Sequence, residues 1–137
     1  MARVTAQTAK TISRGSTYTI GVGPVTKNGV VVNLTGTTLF FTVKANEYDD
    51  ITLDTSAIIY KNVSTHSDPT HGISAIVLSP DDTFYNYNTE VPITPRTKIN
   101  NPYYYDIWID IDINTRYKLD EGIILIDGSP TNRGVDV

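Results

Sequence analysis

The sequence predicts an all-β protein, an antiparallel two-sheet β-sandwich of about seven or eight short strands with one short helical turn. The first observation behind this is the alternation in NPYYYDIWIDIDIN, residues 101–114. Side chains on a strand point to opposite faces with period two. Tyr103, Tyr105, Ile107, Ile109, Ile111 and Ile113 therefore share one apolar face, and Tyr104, Asp106, Trp108, Asp110, Asp112 and Asn114 share the other. That is the pattern of a half-buried strand. The second observation is composition: Thr, Val, Ile and Tyr are abundant while Ala, Leu, Glu and Gln are sparse, a balance that favours pleated surfaces. The third is that turn-forming residues punctuate the chain at short intervals and no long amphipathic helix pattern occurs.

The elements follow in order. Residues 3–12, RVTAQTAKTI, alternate weakly and read as an extended arm or edge strand. After the RGST turn, YTIGVGPV sets Tyr18, Ile20 and Val22 against Thr17, Thr19 and Gly21, and Pro24 ends the strand because it cannot donate to a ladder. KNGV at 27–30 carries Asn-Gly, the strongest short hairpin signal, with VVVNL at 30–34 as the return strand. TLFFTVKA at 38–45 places Leu39, Phe41 and Val43 on one face, and a further short strand is expected over 57–63. THSDPTHG is loop chemistry, and GISAIVLS at 72–79 is another strand. SPDDTFYN then supplies a serine N-cap, a proline at N1 and two aspartates in the first turn, the opening of a short helix. Residues 84–102 read as a long loop before the 103–114 strand, and YKLDEGIILIDG at 117–128 is the final strand.

The chain of 137 residues fits one domain and buries roughly two-thirds of its unfolded surface. The expected sandwich spans 12–128, with an N-terminal arm at 1–11 and a C-terminal tail at 129–137. Both ends are polar and neither carries the apolar residues to bury itself, so they are expected to be disordered or held by a neighbouring subunit. Without cysteine there is no disulfide framework and no thiolate metal site. The net charge is −4 and no basic cluster occurs, which argues against nucleic acid as a partner. No apolar run approaches the roughly 20 residues of a membrane helix. MARVTAQTAK lacks the apolar core of a signal peptide, so export by a standard secretory route is not expected.

Four local patterns, ISRGSTYTI at 12–20, VNLTGTTLFFTVK at 32–44, GISAIVLSPDDT at 72–83, and YYYDIWIDI at 103–111 leading to EGIILIDG at 121–128, form a recognisable succession. It resembles the small immunoglobulin-like domains of tailed-bacteriophage particles, in particular the N-terminal domain of baseplate upper proteins and related tail-fibre attachment domains. The motifs that carry it are Leu34-Thr35-Gly36, Phe41-Thr42-Val43-Lys44, Leu78-Ser79-Pro80 with Thr83, Tyr103-Tyr104-Tyr105-Asp106, and Glu121-Gly122. The chain departs from that pattern in its long 84–102 loop and in ending soon after the last strand. The resemblance implies an immunoglobulin-like sandwich serving as a virion structural component, assembled in the host bacterial cytoplasm. Its implied partners are other virion structural proteins and further copies of itself, with neither nucleic acid nor membrane. A capsid decoration protein is an alternative within the same class. The resemblance implies no catalytic residues and no cofactor.

The candidate sites follow from the residues. Tyr104 and Trp108 are aromatic anchors on a polar face and are expected to contact a partner. The competing expectations are that the 84–102 loop covers Trp108 with Phe84, Tyr85 and Tyr87, or that the face stacks on a host glycan. Asp106, Asp110, Asp112 and Asn114 invite a calcium reading. Alternate residues on one strand are roughly 6.5–7 Å apart and point in parallel, however, so a second segment such as Asp49 and Asp50 would have to fold over them. A solvated face that opposes edge pairing is the expectation. His66 and His71 bracket a loop without a third ligand and are expected to be solvent-exposed. No Gly-x-Ser-x-Gly elbow or serine–histidine arrangement assembles, and an enzyme is not expected.

Overall fold

The computed structural model describes residues 10–46 and 57–128. Nine strands and one short α-helix are found there: β1 (Lys10–Ser13), β2 (Tyr18–Val22), β3 (Thr26–Lys27), β4 (Val30–Val31), β5 (Thr38–Lys44), β6 (Ala57–Val63), β7 (Ser74–Leu78), α1 (Pro80–Phe84), β8 (Tyr103–Asp112) and β9 (Thr115–Asp127). They form a five-stranded sheet in the order β1-β9-β8-β5-β6, a two-stranded sheet of β2 and β7, and the small β3–β4 hairpin. The fold is an all-β sandwich, as the alternation predicts.

The two layers close on one core. Leu39, Phe41 and Val43 of β5 are buried, as are Ile107 and Ile109 of β8, Ile124 and Ile126 of β9 and Ile12 of β1. They cluster with Ile20 and Val22 of β2 and Ile76 and Leu78 of β7. Fully burying each such side chain contributes about 1.5–3 kcal/mol, and together they offset the entropy of ordering the strands. The β3–β4 hairpin turns through Asn28 and Gly29 at φ 54° and 80°, the paired left-handed conformations that a two-residue turn between twisted strands requires.

Helix α1 is capped as its sequence demands. The Ser79 hydroxyl accepts from the Asp82 amide at 3.2 Å, and the Asp82 carboxylate accepts from the Ser79 amide at 2.8 Å, a reciprocal capping box with Pro80 in the first turn. Thr83 then ties the helix to the turn after β1, donating to the Ser16 carbonyl at 2.7 Å and accepting from the Gly15 amide at 3.0 Å.

Several expectations need correction. The large sheet is mixed: β1 runs parallel to β9, with Lys10 opposite Ile124 and Ser13 opposite Asp127. The entering chain travels in the same direction as the departing one, and buries Ile12 in doing so. Of the two readings of 3–12, the edge strand holds for residues 10–12, so Lys10 and Thr11 belong to the sheet and not to a 1–11 arm; residues 1–9 and the 129–137 tail lie outside the described residues, as do Asp49 and Asp50. The strand expected over 30–34 pairs only at Val30 and Val31, after which the Val32 amide bonds the Val25 carbonyl and the Leu34 amide bonds Pro69. Ile113 is 96% exposed rather than on the apolar face. It sits with Asn114 in the two-residue turn between Asp112 and Thr115, where the Asn114 amide is held by the Asp112 side chain at 2.8 Å.

Candidate functional site: the outer face of the large sheet

The 84–102 segment is a packed connection, not a free loop. Ile93 is buried, its amide bonds the Phe84 carbonyl, and its own carbonyl accepts from the Arg14 guanidinium at 2.7 Å. Arg96 exchanges both backbone hydrogen bonds with Ile126 and lays its guanidinium 4.6 Å from the Tyr103 ring centre. These contacts fix where the aromatic residues of the connection lie.

Phe84 is 1% exposed, under the Arg14 guanidinium, and is thereby removed from the set of surface anchors. Tyr85 is half-buried, edge-on to Phe84 at 4.7 Å. Tyr87 is 53% exposed and meets Tyr60 of β6 with ring centres 5.3 Å apart. The aromatic residues of the connection therefore meet the sheet's outer face at Tyr60, on the edge strand, rather than at Trp108 in the centre. Between them, Tyr60, Tyr85 and Tyr87 line a cleft of about 410 Å³ with Asp81, Asp82 and Glu90.

Tyr104 and Trp108 do stand together on the outer face, as period two requires, each half-buried. The ladder places Tyr104 between Lys44 of β5 and Ile123 of β9, and Trp108 between Phe40 of β5 and Lys118 of β9. The Lys118 ammonium lies 5.5 Å from the indole ring centre, and the Arg116 guanidinium 5.8 Å from the Phe40 ring centre. Phe40 in turn stacks on Tyr60 at 6.5 Å. Neighbouring rings thus adjoin across the strands, and the Trp108 and Phe40 rings each meet a positive charge. Phe40, Tyr60, Trp108, Asp106 and Arg116 line an open depression of about 340 Å³.

Two carboxylates of this face, Asp110 and Glu121, are held in ion pairs. Asp110 takes a two-point contact from Arg116 through Nε and Nη2, the latter at 2.8 Å, and this hydrogen bonding holds its carboxyl below the usual aspartate range. Glu121 accepts from Lys118 at 2.9 Å. Among the described residues no three His, Asp or Glu side chains converge as a metal site would need. Two polar groups stand apart: neither the Trp108 indole N–H nor the Asp106 carboxylate has a hydrogen-bond partner among the described residues.

The histidines divide. His71 is exposed and touches Asp68 at 3.0 Å. His66 is not the solvent-facing loop residue expected: its Nε2 lies 2.9 Å from the Thr37 carbonyl oxygen and its Nδ1 2.8 Å from the Ser74 hydroxyl. A carbonyl only accepts, so Nε2 carries the proton and, in the neutral ring, Ser74 donates to Nδ1. His66 thereby joins the corner before β5 to the first residue of β7.

Sequence reasoning missed Phe40, Tyr60, Arg116 and Lys118 as members of the face. The signal was present for Phe40, since placing Leu39, Phe41 and Val43 inward leaves it outward. Arg116 and Lys118 depend on cross-strand register, which a bulge between Ile107 and Trp108 shifts by one residue.

The class defined by these features is an all-β sandwich presenting an open, aromatic and charge-paired sheet face. No protein-family model matches the chain, and no curated protein matches it.

Proposed function

We propose that the protein is a non-catalytic structural subunit of a tailed-phage particle, a tail, baseplate or fibre-attachment adaptor that assembles with other virion proteins through non-covalent contacts. The observation that carries this reading is the outer face, where Phe40, Tyr60 and Trp108 stand on the sheet and Tyr87 of the 84–102 connection packs beside Tyr60. Aromatic and arginine side chains ringed by polar groups are the usual anchors of protein interfaces. The motifs shared with phage immunoglobulin-like domains also have structural work to do: Ser79 and Pro80 cap α1, Phe41 and Val43 fill the core, and Gly122 admits the Tyr105 ring. A decoration protein on the capsid is the same reading at another place in the particle.

Purified virions from a host that expresses the protein provide the test. Mass spectrometry and immunogold labelling are expected to find it in fixed proportion to the tail proteins, and deletion to yield incomplete particles. Absence from washed virions would sink the reading.

A glycan-binding module is the second reading, favoured by the depression beside Trp108 and Asp106. It ranks second because Lys118 and Arg116 already occupy positions over the indole and Phe40 rings, where a sugar would stack. Weak binding on a glycan array, lost in Trp108→Ala, would reverse the order.

A further inference from the structure

We infer that the outer face of the large sheet is a self-complementary dimer interface, in which Trp108 of each copy donates its indole N–H to the Asp106 carboxylate of the other. The inference rests on the assembly reading above and names the neighbour on this face: a second copy of the chain.

Trp108 and Asp106 are alternate residues of β8, so their side chains leave the sheet in parallel, roughly 6.5–7 Å apart along the strand. The parallel exit keeps the donor and the acceptor, neither partnered among the described residues, from turning towards each other, and both are half-buried. A two-fold axis lying in the interface and crossing the strands between these positions brings each onto the other's counterpart. In such an isologous contact residue i meets residue j and j meets i, so one geometry satisfies both groups twice.

The neighbours along the ladder obey the same operation. Trp108 is in register with Lys118, and Asp106 with Glu121. Laying the first row on the second sets Lys118 of one copy against Glu121 of the other, opposite charges in both halves. The chain as a whole carries −4, so two copies repel on average. On this face Lys44, Arg116 and Lys118 balance Asp106, Asp110 and Glu121, which removes that repulsion locally.

The size of the face sets the strength. Four strands spaced about 4.8 Å apart and about seven residues long present roughly 450 Å² per copy, or about 900 Å² in all. That is below the roughly 1,200 Å² of standard specific interfaces, and it fits a transient, micromolar dimer that high local concentration would fill within an assembly.

Sedimentation velocity of the full chain, from low micromolar to several hundred micromolar, tests this. The wild type is expected to self-associate reversibly. Trp108→Phe, which keeps a ring but loses the N–H, and Asp106→Leu are each expected to weaken association about tenfold or more. Lys118→Glu alone is expected to abolish it, while Lys118→Glu with Glu121→Lys restores it, because the exchange preserves both the pair within a copy and the pair between copies. Val77→Lys, on the other layer, should change nothing, and thermal melts of all variants report whether they fold. A wild type that stays monomeric throughout, an association indifferent to Trp108 and Asp106, or a double exchange that fails to rescue would each overturn the inference. The two readings fail separately: a monomer found in washed virions defeats the dimer alone, and a dimer absent from virions defeats the virion role alone.

Discussion

Tyr105 rests on Gly122. The two residues are opposite one another in the β8–β9 ladder, and a Cβ on residue 122 would stand 3.0 Å from the Tyr105 Cε1 and 3.2 Å from its hydroxyl oxygen. The ring crosses the glycine, contacts Phe41 at 6.0 Å between centres and donates from its hydroxyl to Asp120 at 2.9 Å. Both ends of the side chain are therefore fixed, and the ring has little room to yield. Gly122→Ala is expected to cost about 1–3 kcal/mol through overpacking, read as a lower urea midpoint at unchanged slope. Pairing it with Tyr105→Leu should recover part of that loss. Additive effects in the double-mutant cycle would show that the ring does not rest there.

The same ring gives a pH signature. Burial, then the hydrogen bond to Asp120 and its negative charge, push the Tyr105 phenol far above the ordinary tyrosine value of 10.0. Burial also raises Tyr18, and raises Tyr103 against the opposing pull of Arg96. A phenol raised in the folded state binds its proton more tightly there than in the unfolded chain. Its stabilisation is complete below about pH 10 and declines as pH climbs towards the folded value. Folding stability is therefore expected to fall on the alkaline side of pH 10. Phenolate absorbance should show a class of tyrosines ionising only as the chain unfolds. Tyr105→Phe should flatten that alkaline decline, and an unaltered decline would count against the assignment.

The acid limb involves Asp82. Burial by itself would raise this carboxyl, but hydrogen bonds from Lys61 at 2.9 Å and from the Ser79 amide outweigh it and hold the carboxyl below 3.8. A depressed folded value contributes stability above the unfolded pKa, and that contribution disappears as pH falls through the folded one. Asp82→Asn is expected to lower stability at neutral pH and to flatten its decline below about pH 4. Ser79→Ala removes the other half of the capping box and is expected to cost about 1 kcal/mol at any pH where the helix is formed. Equal acid sensitivity in Asp82→Asn and wild type would show that another carboxylate dominates.

What could be read beforehand follows from the range of each signal. Period-two alternation is local, so the faces of β5 and β8, the Asn28-Gly29 turn and the Ser79 cap were all legible from a few adjacent residues. The parallel β1–β9 pairing was not, because it joins Lys10 to Ile124 across nearly the whole chain and leaves no local mark. Trp108 and Tyr104 were legible as an outward pair, whereas their cationic neighbours depended on a bulge that no short pattern announces. Phe84 was misassigned for a similar reason: a polar stretch surrounds it in sequence, and only the distant Arg14 and Ile93 reveal that it is inside.

His66 shows how much a distant tie can carry. It bridges Thr37, itself buried and bonded to the Leu34 carbonyl at 2.7 Å, and Ser74, which is 2% exposed at the start of β7. Removing the ring strands two buried partners at once: the Thr37 carbonyl loses a donor and the Ser74 hydroxyl loses its acceptor. Leaving a buried polar group unsatisfied costs about 1–3 kcal/mol, so His66→Ala is expected to lower stability by that order, and by more than His71→Ala, whose ring is exposed. His66→Ala with Ser74→Ala should lose less than the sum of the separate changes, because the second removes the hydroxyl that the first leaves unpaired. Nitrogen-detected NMR adds a direct reading of the geometry: the His66 proton belongs on Nε2, facing the Thr37 carbonyl. A ring protonated on Nδ1 alone would mean that this bridge does not exist in solution.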